Sequence, residues 1–155
     1  MPHSINTDQF SSPVFRPHGR VVYGDRGNLL WAEAVGPFNR ELMAAVLEIA
    51  QITFPAMTAK GPWAHLCTFS ESALCSPDVL ADLANALGQM VQAGVAPKVM
   101  AFVLPVDVEG SALMAQLFEQ ALLHIGVPFR CFAEVDAANL WLASFVAPLR
   151  TAVDP

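Results

Sequence analysis

The stretch Ser70-Glu71-Ser72-Ala73-Leu74-Cys75-Ser76 gathers three hydroxyls, a carboxylate and a thiol within seven residues. Cys75 stands just before Ser76-Pro77-Asp78, a helix start with Ser as the cap and Pro at the first position. A helix dipole there could lower the thiol's pKa and make it a nucleophile, with His65 on the preceding strand as a base. The spacing argues against that pair. His65 opens its strand and the loop follows the strand's end, so about five residues at roughly 3.3 Å each lie between them. Ser76 has a sufficient role as a cap, and Ser70 and Ser72 as polar loop residues. A phosphate on Ser76 would meet the positive end of a helix, but Glu71 and Asp78 are close in sequence with no Lys or Arg beside them.

Other chemistry is sparsely provided for. His3, His18, His65 and His124 are scattered and form no HxxxH or HxxE spacing, so no metal site and no cofactor are expected. Cys67, Cys75 and Cys131 are odd in number and widely spaced, which reads as free thiols, Cys67 and Cys131 in the core. Gly24-Asp25-Arg26-Gly27 joins two strands and reads as a turn, since a phosphate-binding loop leads from a strand into a helix. Asp107 and Glu109 follow an apolar strand, at the edge where α/β folds bind ligands, yet as two acids in a loop they serve first to solvate it.

The elements that would position these residues follow from turn chemistry and from switches between strand and helix periodicity. Arg20 to Tyr23 and Leu29 to Val35 read as an antiparallel hairpin around Asp25-Arg26-Gly27-Asn28. Gly36-Pro37 stops the second strand, Asn39 caps a helix with Glu41 in its first turn, and that helix is expected to end near Phe54, before a Pro55 to Pro62 connection. A strand from Trp63 to Phe69 leads through the Ser70 to Ser76 loop into a helix from Pro77 that stops at Gly94. Val99 to Leu104 is a continuous apolar run and reads as a mid-sheet parallel strand. A helix from Ser111 to Ile125, a strand from Phe129 to Phe132 and a last helix capped by Asp136 complete the chain. Connection lengths then specify an α/β fold: an N-terminal antiparallel hairpin followed by alternating helices and strands on a mostly parallel sheet. Residues 19–147 make one domain, with 1–18 a flexible tail and 148–155 a loose one.

Composition bounds the function. The 155 residues are 54% hydrophobic and only 14% charged, against about 25% charged in an ordinary soluble domain. Eight Lys plus Arg against fourteen Asp plus Glu give a net charge of -6, which repels phosphate backbones and speaks against a nucleic-acid partner. No apolar run reaches the roughly 18 to 20 residues needed to cross a bilayer, and Met1 to His18 lacks the pattern of a secretory signal. The expectation is a cytoplasmic protein without integral membrane association.

Four features in this order carry a resemblance to a known family: Gly36-Pro37-Phe38-Asn39 leading into the first helix, Trp63 opening the next strand, Ser76-Pro77 starting the second helix, and Ala138-Asn139-Leu140-Trp141-Leu142 near the end. Together with the order of elements from Arg20 to Phe145, they make the chain resemble the SpoIIAA-like family. That family is related to the STAS domains of sulphate transporters and anti-sigma-factor antagonists, and its fold is similar to that of CRAL-TRIO lipid carriers. The resemblance implies a bacterial regulatory module that is not an enzyme and that places a phosphoacceptor in the loop before the second helix. The family pattern there is Asp, then Ser or Thr, then Ser-Gly. This loop lacks the Asp and the Gly, which leaves Ser72 and Ser76 as the candidates.

The expected function is therefore binding. Six Met, ten Phe and three Trp exceed what a small core needs, and the surplus has two outlets, a contact face or a pocket. The first outlet gives a module that binds a protein partner, with a homodimer expected, through its helix layer and Ser70, Glu71, Ser72, Cys75 and Ser76. The second gives a carrier or sensor of a small apolar, lipid-like ligand. A thiol-dependent enzyme built on Cys75 is the third.

Overall fold

The structure is a computed structural model that describes residues 4–10 and 19–147. Its elements are β1 (Ser4–Asn6), a 3-10 turn (Thr7–Phe10), β2 (Arg20–Arg26), β3 (Leu29–Val35), α1 (Arg40–Ala59), β4 (Ala64–Ser70), α2 (Pro77–Gln92), β5 (Val99–Val103), α3 (Ser111–Ala121), β6 (Phe129–Phe132) and α4 (Val135–Ala143). Among the described residues the six strands form one sheet in sequential order, with β1, β2 and β3 antiparallel and β3 through β6 parallel. This is the α/β architecture expected, with one strand added at the edge. His3, His18 and the tail at 148–155 lie outside the described residues.

The added strand corrects the reading of 1–18 as a tail throughout. Ser4–Asn6 pairs with Val22–Gly24. Thr7 is fully buried, and its Oγ1 accepts a hydrogen bond from Val21 N at 3.0 Å. Three residues, two of them polar, paired to a distant strand leave no periodic trace, so nothing local announces them.

Sequential order with helical crossovers puts α1, α2 and α3 on one face of the sheet. The register there aligns three rows under the helices: Leu30, His65, Met100 and Phe129; Tyr23, Ala32, Cys67, Phe102 and Cys131; and Val21, Ala34 and Phe69. α4 covers the opposite face, where Ala138 and Leu142 meet Leu66, Val99, Ala101 and Val103. β5 is buried along its whole length because both faces are covered, as its unbroken apolar run implies.

Helix starts follow their caps, and one helix end does not follow its proline. Asn39 Oδ1 accepts from Leu42 N at 2.9 Å, and Ser76 Oγ from Val79 N at 3.4 Å. α1 continues through Pro55 to Ala59 and so replaces most of the expected Pro55 to Pro62 connection. Pro55 is exposed, so the Gln51 carbonyl that loses its donor lies on the exposed side. Phe54 and Met57, each 3% exposed, anchor the helix on either side of it, and Trp63 Nε1 donates to Thr58 Oγ1 at 3.0 Å. The extension makes α1 long and apolar enough to cross a membrane by length and composition alone, contrary to the expectation that no segment would be. In the fold its apolar stripe packs on the sheet. Two smaller corrections concern helix ends. α3 stops at Ala121, short of Ile125, and α4 has Glu134 at its cap with Asp136 in its first turn.

Candidate functional site

The loops that leave the carboxyl ends of β3, β4 and β5 are laced together by backbone hydrogen bonds. Phe38 N donates to Leu74 O at 2.9 Å, Ala73 N to Glu109 O at 3.0 Å, and Glu109 N to Glu71 O at 3.0 Å. Close approach requires Gly36, because a Cβ there would lie 2.1 Å from Ser72 O. Glu71 holds φ at 62°, in the left-handed region that favours glycine, while its carbonyl serves the Glu109 amide.

Within this lacework the expected site residues face different ways. Ser70, Glu71 and Ser76 are exposed along the rim, and Cys75 is half-buried. Ser72 is only 4% exposed, and its Oγ accepts from Leu74 N at 3.2 Å. As a phosphoacceptor Ser72 is therefore sealed in the folded protein, which leaves the exposed Ser76 cap as the accessible hydroxyl. The sequence reading failed here because a Ser in a polar loop looks exposed until the loop's own backbone closes over it.

Burial also disarms the thiol. It pushes Cys75 up to about 11, against the lowering expected from the helix start, and it holds His65 down to about 4. A protonated thiol and a neutral imidazole at opposite ends of β4 are the reverse of an activated Cys–His pair. Cys131 is pushed up to about 12 by burial and then by Glu119. No group of three or more His, Cys, Asp or Glu side chains among the described residues is placed to hold a metal ion.

Cys75 and His65 do share a space. A cavity of about 90 Å³ lies between the sheet and α1 and α2, and both line it. Its floor holds Tyr23, Ala34, His65 and Cys67, its roof Ala50, Phe54, Ala86 and Leu87, and its end near the loops Phe38 and Cys75. Alanines at 34, 50 and 86 stand where larger core residues would fill the gap. Val46 and Leu47 on α1 and Leu83 and Met90 on α2 are half-buried lining residues, which places the opening between these helices. Arg40 and Asp82 pair across α1 and α2 through two hydrogen bonds of 3.0 and 3.1 Å.

Two polar side chains interrupt the apolar wall. Tyr23 and His65 are each 6% exposed, and their rings lie 6.2 Å apart, 18° from parallel, with the small Ala32 between their strands. His65 Nδ1 is 2.9 Å from Leu30 O. A carbonyl only accepts, so Nδ1 carries the proton and Nε2 of the neutral ring is left as an acceptor. Phe54 and Trp63 pack around the imidazole at ring distances of 5.8 and 6.4 Å. Sequence reasoning considered His65 only as a base and did not single out Tyr23. The one available signal was the run of small residues, Ala32 and Ala34, facing a helix stripe of Met and Leu. Compared with known proteins, the chain matches no family model, no curated protein and no solved structure.

Proposed function

We propose that this chain is a SpoIIAA-like, STAS-type binding module that makes and breaks no bonds and takes up a small apolar ligand between its helix layer and its sheet. The cavity over β2, β3 and β4 is the observation that carries this reading. A ligand that enters it buries apolar surface and gains dispersion contacts with the wall. The raised thiol of Cys75 and the neutral His65 favour binding over catalysis at this place. Support for the family reading comes from the hairpin, the sequential parallel strands and the positions of Gly36-Pro37, Trp63 and Ser76-Pro77 at the junctions where the resemblance puts them.

Contact with a protein partner is a second reading, favoured by the preformed rim at the carboxyl ends of the strands. Ser70, Glu71 and Ser76 are exposed there, and Val106 on the neighbouring loop is 85% exposed. Phe38 and Cys75 belong both to these loops and to the cavity wall, so an occupied cavity would present a different rim from an empty one.

Native mass spectrometry of freshly purified protein tests the ligand reading. The expected result is a retained adduct that is lost in Ala34→Leu, and a clean apo mass in both proteins would count against it. Light scattering during size exclusion tests self-association, and a strict monomer at high concentration removes the homodimer.

A further inference from the structure

The cavity wall carries, among the described residues, a phenol and an imidazole nitrogen with no protein partner. Among the described residues, the sealed polar atoms without a partner are Trp31 Nε1 and Asn139 Oδ1. Tyr23 Oη and His65 Nε2 make no hydrogen bond to a described residue either, and both side chains line the cavity. A polar group that faces an apolar cavity without a protein partner is completed there by water or by a ligand.

The chemistry of the two groups is complementary. Burial, with Cys67 adding to it, holds the Tyr23 phenol far above its usual range, so it stays protonated and can donate. His65 offers the lone pair of Nε2, because its Nδ1 proton is committed to Leu30. Neither carries charge, and no Lys, Arg, Asp or Glu among the described residues lines the cavity.

From this placement we propose that the cavity selects a small apolar molecule bearing a neutral hydroxyl, an alcohol or a phenol, whose oxygen accepts from Tyr23 Oη and whose proton is donated to His65 Nε2. The proposal rests on the ligand reading above and narrows it to a chemical class. A hydrocarbon leaves both groups unsatisfied. A carboxylate meets the His65 lone pair with no cation to offset its desolvation. A ketone engages Tyr23 alone.

Phenol, benzene and benzoate are probes matched in ring size, and calorimetric titration of the whole chain at pH 7 compares them. Phenol is expected to bind about tenfold tighter than benzene, the worth of one to two net hydrogen bonds, and benzoate more weakly than either. Tyr23→Phe is expected to bring phenol down to the level of benzene and leave benzene unchanged, which also shows that the variant is folded. On the wild-type protein, phenol but not benzene is expected to move the ¹⁵N signal of His65 Nε2, a readout that needs no substitution. Benzene binding as tightly as phenol, or an unmoved Nε2 signal with phenol bound, overturns the hydroxyl assignment and leaves the apolar cavity standing. Failure of both rings to bind overturns the ligand reading together with it.

Discussion

Under α4, Val99, Ala101 and Val103 of β5 meet Ala138 and Leu142, and none of these five is more than 2% exposed. On the other face of the same strand, Met100 and Phe102 border an open volume of about 90 Å³ beneath α1 and α2. Both faces are apolar, and both are covered by helices. They differ in how side-chain size is distributed. The α4 face puts small and β-branched residues where a single short helix can lie close. The α1–α2 face sets aromatics and methionines around alanines, so the large groups touch at the margins and the centre stays open. Aromatic pairs frame that centre: Phe54 on Trp63 at 4.9 Å, Phe69 on Phe102 at 5.2 Å and Phe102 on Phe118 at 5.1 Å. One sheet thus supports a closed structural layer and a layer with room for a guest.

Substitutions on the two faces should therefore diverge. Leu142→Ala empties a site with no slack and is expected to cost about 3 kcal/mol in urea unfolding, with benzene binding unchanged. A much smaller loss would mean that the α4 face is looser than its burial implies. The same substitution placed on each face gives the sharpest contrast. Ala101→Val overpacks the α4 side and should lose about 2 kcal/mol. Ala34→Val fills part of the cavity and should change stability by less than about 1 kcal/mol, in the stabilising direction, while weakening benzene binding. Equal losses at both positions would show that the cavity side has no spare volume.

Protonation of the cavity floor provides a gentler perturbation. The His65 pKa is about 4 in the folded protein against 6.5 for the free side chain, so the unfolded chain binds the proton more readily. Stability from neutral His65 is complete above pH 6.5 and is lost as pH falls from there towards 4. The expected loss is about 1 kcal/mol between pH 7 and pH 5.5. His65→Gln should flatten that slope, and an unchanged slope would mean that the imidazole is solvated. The smallest effect concerns the rim, where Cys75, pushed up to about 11, should react with iodoacetamide at pH 8.5 at least about tenfold more slowly than free cysteine. Fast labelling would return it to consideration as a nucleophile.

How much of this the sequence disclosed depends on how local each cause is. Asn39 and Ser76 cap their helices by bonds three residues long, and both are readable from residue type. Gly94, with φ of 75°, sits just past α2 for the same kind of reason. The errors arise where distant contacts decide. Pro55 stops a helix by rule, yet Phe54, Met57 and Trp63 hold α1 together across it. β1 exists because Thr7 and β2 receive it. Ser72 turns inward because the Glu109 loop closes over it. The cavity was the least legible feature of all, since residues from β2, β3, β4, α1 and α2 must be stacked before the absence of side-chain volume at Ala34, Ala50 and Ala86 becomes a space.

Methionine methyl NMR tests the central claim most directly, because the cavity divides the described methionines into two sets. Met43, Met90 and Met100 line it, whereas Met57 and Met114 are buried elsewhere in the same core. Titration with benzene is expected to shift the first three methyl signals along one saturating curve and to leave the other two in place. Signals that all stay fixed, or that all drift together in proportion to the benzene added, would contradict a binding site between the helix layer and the sheet.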